Sequence, residues 1–300
     1  MKKSKQLKTE VQYALVLGLI HLFRALPRRT GIFVSQSLGT AFYMFSAKHR
    51  RNTIRHLTIA FGNEKTKQEI RRIARETFRH FAAAAVDAMR IPIFLAEGMD
   101  RYVKADHLEY LEAAAKQNRG VIILTGHVGN WELLGAWLAW KKFPLQVIGA
   151  PLSNTKLNRL LINTREVSGY MPIERGKKLI AIKALQEGRL LGILMDQDTR
   201  VKGVFVDFFG KKANTPAGPI VLARRLGVPV VPVFIHMEQD LTYHVEFINP
   251  LVLSDTGDPE KDVIMDIENC NRIYESMIRR HPEQWVWMHR RWKRQPVAGN

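Results

Sequence analysis

Between residues 120 and 140 the apolar pattern changes its period. Gly120-Val121-Ile122-Ile123-Leu124 is an unbroken apolar run of strand length, which predicts a buried strand. Leu133 to Trp140 reads as a helix. Between them lies Thr125-Gly126-His127-Val128-Gly129-Asn130-Trp131-Glu132, a turn with a histidine flanked by glycines. The same reading gives strands at 145–150, 192–195 and 243–247, and a valine-proline strand at 228–233. It gives helices at 65–89, 105–116, 154–168, 178–186 and 262–280. Residues 92–104 read as a loop into a strand. In open α/β sheets, ligands bind beyond the carboxyl ends of strands, so the turn at 125–132 is where chemistry is expected.

The amino-terminal region has a different pattern. Residues 1–10 are basic and polar, with Lys2, Lys3, Lys5 and Lys8. The apolar stretch from Val11 to Leu26 then ends at Pro27-Arg28-Arg29 with no small-residue cleavage site, so it is not a signal peptide. It contains His21 and Arg24 and falls short of the roughly 20 apolar residues of a spanning helix. A helix lying in the membrane interface suits it better. A second apolar stretch, 32–45, is broken by Ser35, Gln36 and Ser37 and is placed to complete a helical hairpin. The alternatives are one true membrane span and a pair of amphipathic helices covering a sheet. Arg50, Arg51, Arg55, Arg71, Arg72, Arg75 and Arg79 follow, facing either anionic headgroups or water.

Composition narrows the partners. A net charge of +18 over 300 residues implies an anionic one. No zinc-finger, RNA-recognition or helix-turn-helix signature is present, so nucleic acid ranks below a membrane surface. A single cysteine, Cys270, excludes a disulfide framework and makes a structural zinc site unexpected.

The chemistry rests on spacing. His127 and Glu132 are five apart, an offset of about 500° on one continuous helix, which points them roughly 140° apart. They meet only if the histidine precedes the helix. Gly126 and Gly129 give the turn its freedom, Asn130 is a good N-cap, and Glu132 falls in the first turn, where the helix dipole favours its ionised form. Glu132 is then placed to accept a proton from one ring nitrogen of His127, leaving the other as a general base. The bland alternative is a structural His–Glu pair. Asp196-Gln197-Asp198 ends another apolar run. Two carboxylates there are weak grounds for Mg²⁺, and no metal or cofactor is expected. Phe205, Phe208 and Phe209 suit either an acyl-chain wall or ordinary core.

Gly126-His127-Val128-Gly129-Asn130-Trp131-Glu132 resembles the H-x-x-x-x-[DE] motif of the glycerolipid acyltransferase superfamily. In the G-H-x-G-N-W-E form it is similar to the lipid A late acyltransferases. Further blocks match that family in order: Arg165 with Gly169, Arg175, Met195-Asp196-Gln197-Asp198, Phe205 to Gly210, Thr215 with Gly218, and the tail Trp287-Met288-His289-Arg290-Arg291-Trp292-Lys293-Arg294. The resemblance implies an α/β fold, a mixed sheet flanked by helices, at 49–300, with a membrane-associating helical element at 1–48. It implies transfer of a fatty acyl chain from acyl carrier protein to a hydroxyl of a lipid A precursor, on the cytoplasmic face of the bacterial inner membrane. The expected catalytic set is His127 as base, Glu132 orienting it, Arg165 or backbone N–H groups at the oxyanion, and Asp198 positioning Arg165. Asn130, Arg175, Asp196, Gln197, Phe208, Phe209 and Thr215 are the expected substrate contacts. A related acyltransferase with another glycolipid or phospholipid acceptor, a metal-dependent hydrolase and a non-enzymatic basic adaptor remain as alternatives.

Overall fold

The computed structural model describes residues 2–199 and 201–296, and the side chains of Lys2, Lys3 and Lys5 lie outside the described residues. The strands are β1 (Val103–Asp106), β2 (Val121–Thr125), β3 (Leu145–Gly149), β4 (Met171–Glu174), β5 (Leu190–Leu194), β6 (Gly203–Phe208), β7 (Lys211–Pro216), β8 (Val230–Met237) and β9 (Tyr243–Phe247). The helices are α1 (Lys2–Ala25), α2 (Arg28–Phe45), α3 (Ala47–Phe61), α4 (Lys67–Met89), α5 (Ile91–Glu97), α6 (Leu108–Ala115), α7 (Trp131–Trp140), α8 (Thr155–Val167), α9 (Lys178–Gln186), α10 (Gly218–Leu226) and α11 (Pro259–Arg280).

Seven strands form one sheet in the order β1-β9-β8-β2-β5-β3-β4, while β6 and β7 make a separate antiparallel hairpin. Among the described residues, only β8 and β9 pair antiparallel within the sheet. Parallel strands covered on both faces read as continuous apolar runs, and all five residues of β2 are buried. Ile122 and Leu124 join the core that includes Leu185, Ile220 and Met277, from α9, α10 and α11. Val121 and Ile123 join the opposite core with Leu111, Leu134 and Trp137, from α6 and α7. Each such side chain contributes roughly 1.5–3 kcal/mol on burial. The protein is therefore an α/β fold with helices on both faces of a mixed, mostly parallel sheet.

Two expected boundaries are corrected. Residues 92–97 are helical rather than a loop, because Pro92 sits at the start of α5, where its missing N–H goes unneeded. Ala105 and Asp106 belong to β1, and α6 starts only after His107, which adopts a left-handed conformation with φ 61°.

The amino-terminal helices dock on α4. Gly39 lets α2 approach closely, since a Cβ there would lie 2.6 Å from the Phe78 carbonyl oxygen. Arg28 forks onto the buried Asp87 at 2.9 and 2.7 Å, and Arg90 donates to the carbonyls of Phe23 and Leu26. At its other end α1 meets α8: Asn154 donates to the Thr9 carbonyl at 3.1 Å, and Lys156 pairs with Glu10 at 2.6 Å. Leu7, Val11, Leu15 and Leu22 on α1, and Val34, Leu38, Phe42 and Phe45 on α2, stay exposed. Their spacing puts each set on one helix face. Among the described residues, no helix is long and apolar enough to cross a membrane.

Candidate active site

The site forms where β2 and β5 end side by side. Their register pairs Thr125 with Leu194, so two residues on, His127 and Asp196 leave adjacent strands together. Asp196 is fully buried. Its Oδ1 lies 2.8 Å from His127 Nδ1, and its Oδ2 accepts the His127 backbone N–H at 2.8 Å and the Trp285 indole N–H at 2.7 Å. Burial alone would raise the Asp196 pKa, but the His127 ring and backbone, with Trp285, outweigh it and hold the carboxyl below its usual range. An ionised Asp196 keeps the proton of His127 on Nδ1, which leaves Nε2 as the basic nitrogen. The ring is 23% exposed and sits edge-on to Trp131, with centroids 4.8 Å apart.

Glycine makes this approach possible. A Cβ on Gly126 would lie 3.2 Å from the Asp196 carboxyl carbon and 2.9 Å from the Tyr274 ring. Gly129, at φ 59°, passes so near β8 that a Cβ would meet the Ile235 carbonyl oxygen at 2.0 Å. Its N–H donates to the Gln284 carbonyl, and Val128 bridges to Trp285, which stitches the histidine loop to the carboxy-terminal tail.

Glu132 does not reach His127. It lies in the first turn of α7 and faces α8, where Arg165 Nε donates to Oε2 at 2.9 Å and Nη2 donates to Oε1. The Tyr170 hydroxyl donates to the same Oε2 at 2.8 Å. Burial pushes the Tyr170 pKa well up, and Glu132's charge adds to this, so the phenol remains a donor. Burial opposes the charged form of Arg165, yet Glu132 raises its pKa above the ordinary value. Nη1 lies beside Gly149, 3.4 Å from where a Cβ on that glycine would stand. The pairing expected between Asp198 and Arg165 is likewise corrected. Asp198 is buried and binds Arg294, whose Nε lies 2.6 Å from Oδ1, while its carbonyl accepts from Lys293. It fastens the tail.

Beneath this polar mouth runs a cleft of about 400 Å³. His127, Glu132, Arg165, Arg175 and Gln197 line its polar part. Leu134, Leu138, Leu145, Val147, Leu161 and Leu194 line its apolar part, between α7, α8 and the strands β3 and β5. The remaining expected contacts lie elsewhere. Asn130 is buried and caps α7 through Leu133 N–H. Phe208 and Phe209 are core residues, packed on Trp285, Trp292 and Trp287. Thr215 is buried and takes a hydrogen bond from Arg291. The tail itself is buried at Trp285, Trp287, Arg291 and Trp292, so its aromatic-arginine composition serves packing. The sequence alone does not point to Tyr170 as a partner of Glu132, or to the contacts of Asp196 with His127 and Trp285. Among the described residues, no three His, Cys, Asp or Glu side chains are grouped to hold a metal ion.

A strand-end histidine hydrogen-bonded to a buried aspartate thus stands in the lining of a cleft with an apolar part and two arginines. The chain belongs to the bacterial lipid A biosynthesis acyltransferase family, whose family model matches residues 1–294. It is 26% identical over 284 residues to the lipid A biosynthesis palmitoleoyltransferase of Escherichia coli K12, covering 94% of this chain and 91% of that protein. It is 25% identical over 287 residues to the lauroyltransferase of the same organism, covering 93% and 90%. It is also 27% identical over 173 residues to the phosphatidylinositol mannoside acyltransferase of Mycolicibacterium smegmatis, covering 56% and 57%. The protein is thus an acyltransferase of lipid A or glycolipid biosynthesis.

Proposed function

We propose that this enzyme moves a fatty acyl chain from acyl carrier protein to a hydroxyl of an acylated lipid A precursor, with His127 as general base. The observation that carries this reading is the His127–Asp196 pair at the head of an apolar cleft. His127 Nε2 takes the proton of the acceptor hydroxyl as its oxygen attacks the thioester carbonyl. Asp196 stabilises the imidazolium through Nδ1–H. Arg165 Nη1 faces the oxyanion, where one donor is worth roughly 3 kcal/mol. The C–S bond then breaks, and the thiolate recovers the proton from Nε2. The acceptor oxygen is itself the nucleophile, so no covalent enzyme intermediate forms. The apolar part of the cleft holds the acyl chain, and Arg175 and Gln197 contact the polar end of a substrate. The 1–48 element lies on the cytoplasmic face of the inner membrane through the exposed apolar rows of α1 and α2.

A specific observation favours a second acceptor. The mycobacterial relative acts on a phosphatidylinositol mannoside by its name, so that glycolipid belongs in the same assay. Purified enzyme is incubated with acyl carrier protein thioesters and each acceptor, and products are weighed by mass spectrometry. A gain of one acyl chain on the lipid A precursor supports the proposal. A gain on the mannoside alone moves the activity to the second acceptor.

A further inference from the structure

A groove of about 550 Å³ lies between α2 and the first turns of α4, shares no lining residue with the cleft, and is lined by Tyr43, Gln68, Glu69, Arg71, Arg72 and Arg75. Its charge balance is set by where the nearby carboxylates are committed. Glu69 is locked in the capping box of α4, accepting the Thr66 backbone N–H and hydroxyl, both at 2.8 Å. Glu76 is shared between Arg75 and Arg79, and Glu283 faces Arg72 from the tail. Arg71 and Arg72 are exposed, and no ion pair holds either of them among the described residues. Three guanidinium groups therefore share a concave surface with a phenol, an amide and the single capping carboxylate of Glu69, which leaves positive charge in excess. Guanidinium forks match phosphate oxygens.

The groove is not isolated on the surface. Tyr43 forms its α2 wall and is anchored there by edge-on contact with Phe78. Its neighbours on α2 are Phe42 and Phe45, 51% and 85% exposed, at the end of the apolar row that starts at Val34. Tyr43 itself lies about 140° round α2 from that row, so the groove flanks the apolar face. An exposed apolar helix face flanked by arginines fits one kind of surface: acyl chains beside a layer of phosphates.

We propose that this groove binds the phosphate headgroup of an anionic phospholipid, and so fixes α2 on the bilayer in one orientation. The proposal rests on the reading that α1 and α2 lie on a membrane, but not on the acyl-transfer mechanism.

The test uses the full chain and vesicle flotation, with phosphatidylcholine alone and with phosphatidylcholine containing phosphatidylglycerol. Cations near an anionic surface contribute about 1 kcal/mol each, so replacing Arg71, Arg72 and Arg75 together by Gln should weaken binding to the anionic vesicles by on the order of 100-fold. Binding to neutral vesicles should stay unchanged. A control carrying Lys116→Gln, Arg225→Gln and Lys261→Gln loses the same charge from exposed positions outside the groove. It should bind anionic vesicles within a few-fold of wild type. The Arg71→Lys, Arg72→Lys, Arg75→Lys variant keeps the charge without the fork and should fall between the two. Equal losses in the groove and control triples, or full binding by either groove variant, would overturn the site. Both groove variants should keep wild-type turnover on detergent-dispersed acceptor. Loss of that turnover would reassign the arginines to substrate handling and overturn the headgroup role. Absence of transfer by the wild-type enzyme would count against the catalytic reading alone.

Discussion

Asp196 holds His127 at two points, with one carboxylate oxygen on the ring Nδ1 and the other on the backbone N–H, each at 2.8 Å. The two contacts fix the ring's rotation and its tautomer together. Asp196→Asn keeps the shape but turns the charge-stabilised acceptor into a neutral amide. In a comparable Asp–His pair, the same exchange lowers turnover about 10⁴-fold, and a loss of 10²- to 10⁴-fold is expected here. The protein should still fold, because Trp285 and the His127 N–H retain an acceptor. Steady-state rates and a melting curve on the same preparation check both halves.

Tyr170 reaches Glu132 only because residue 135 has no side chain. A Cβ at Gly135 would lie 2.9 Å from the tyrosine ring. Gly135→Ala should therefore displace Tyr170 from Glu132 and lower turnover more than stability. Glu132→Gln should cost more, since it leaves Arg165 with no carboxylate on a pair whose side chains are only 15% and 20% exposed. A double-mutant cycle between Glu132→Gln and Arg165→Gln should return a coupling of about 1–3 kcal/mol in activation free energy.

Acyl length should respond to the gap between β3 and β5. Gly192 lines the cleft, and a Cβ there would meet Val147 at 3.1 Å. Gly192→Val fills that space. Competition between donors of different chain length should shift toward the shorter acyl groups, with each methylene worth about 1 kcal/mol of discrimination or a little more.

Acid should destabilise the fold through a histidine stack. His236 on β8 and His281 after α11 lie 3.9 Å apart and nearly parallel. His244, Glu238, Glu246, Arg280 and His80 surround them. Burial, then the neighbouring His236, lowers the His281 pKa to about 4, and burial lowers that of His236 as well. The unfolded chain takes up these protons from about pH 6.5 downward, whereas the folded one resists until near the lowered values. The contribution to stability is thus complete above about pH 6.5 and is lost as pH falls toward 4. Thermal melts across this range should show the slope, and His281→Phe, which keeps a ring in the stack, should flatten it.

The strand, the glycine-flanked histidine, the cap at Asn130 and α7 could be read directly from residues 120–140, because one apolar run ends and another period begins there. Pro27 likewise announced the break between α1 and α2. The partner of His127 could not be read this way. Asp196 becomes its neighbour only through the pairing of β2 with β5, a fact of strand order that residues 69 positions apart do not encode locally. Glu132 was the nearer carboxylate in sequence, yet its position in the first turn of α7 turns it toward Arg165. Phe208, Phe209 and the tail tryptophans carry a composition that suits a ligand site equally well. Their burial is decided by α3 and by the closure of the tail over the sheet, which rests on contacts such as Asp198 with Arg294.

The most direct test of the His127–Asp196 assignment is the mass of lipid A precursor after incubation with acyl carrier protein thioesters. Wild type, His127→Ala, Asp196→Asn and Glu132→Gln would be run side by side. The expected result is one added acyl chain with the wild type, none with His127→Ala and a trace with Asp196→Asn, in proteins that melt at similar temperatures. Wild-type turnover by either His127→Ala or Asp196→Asn would contradict the assignment.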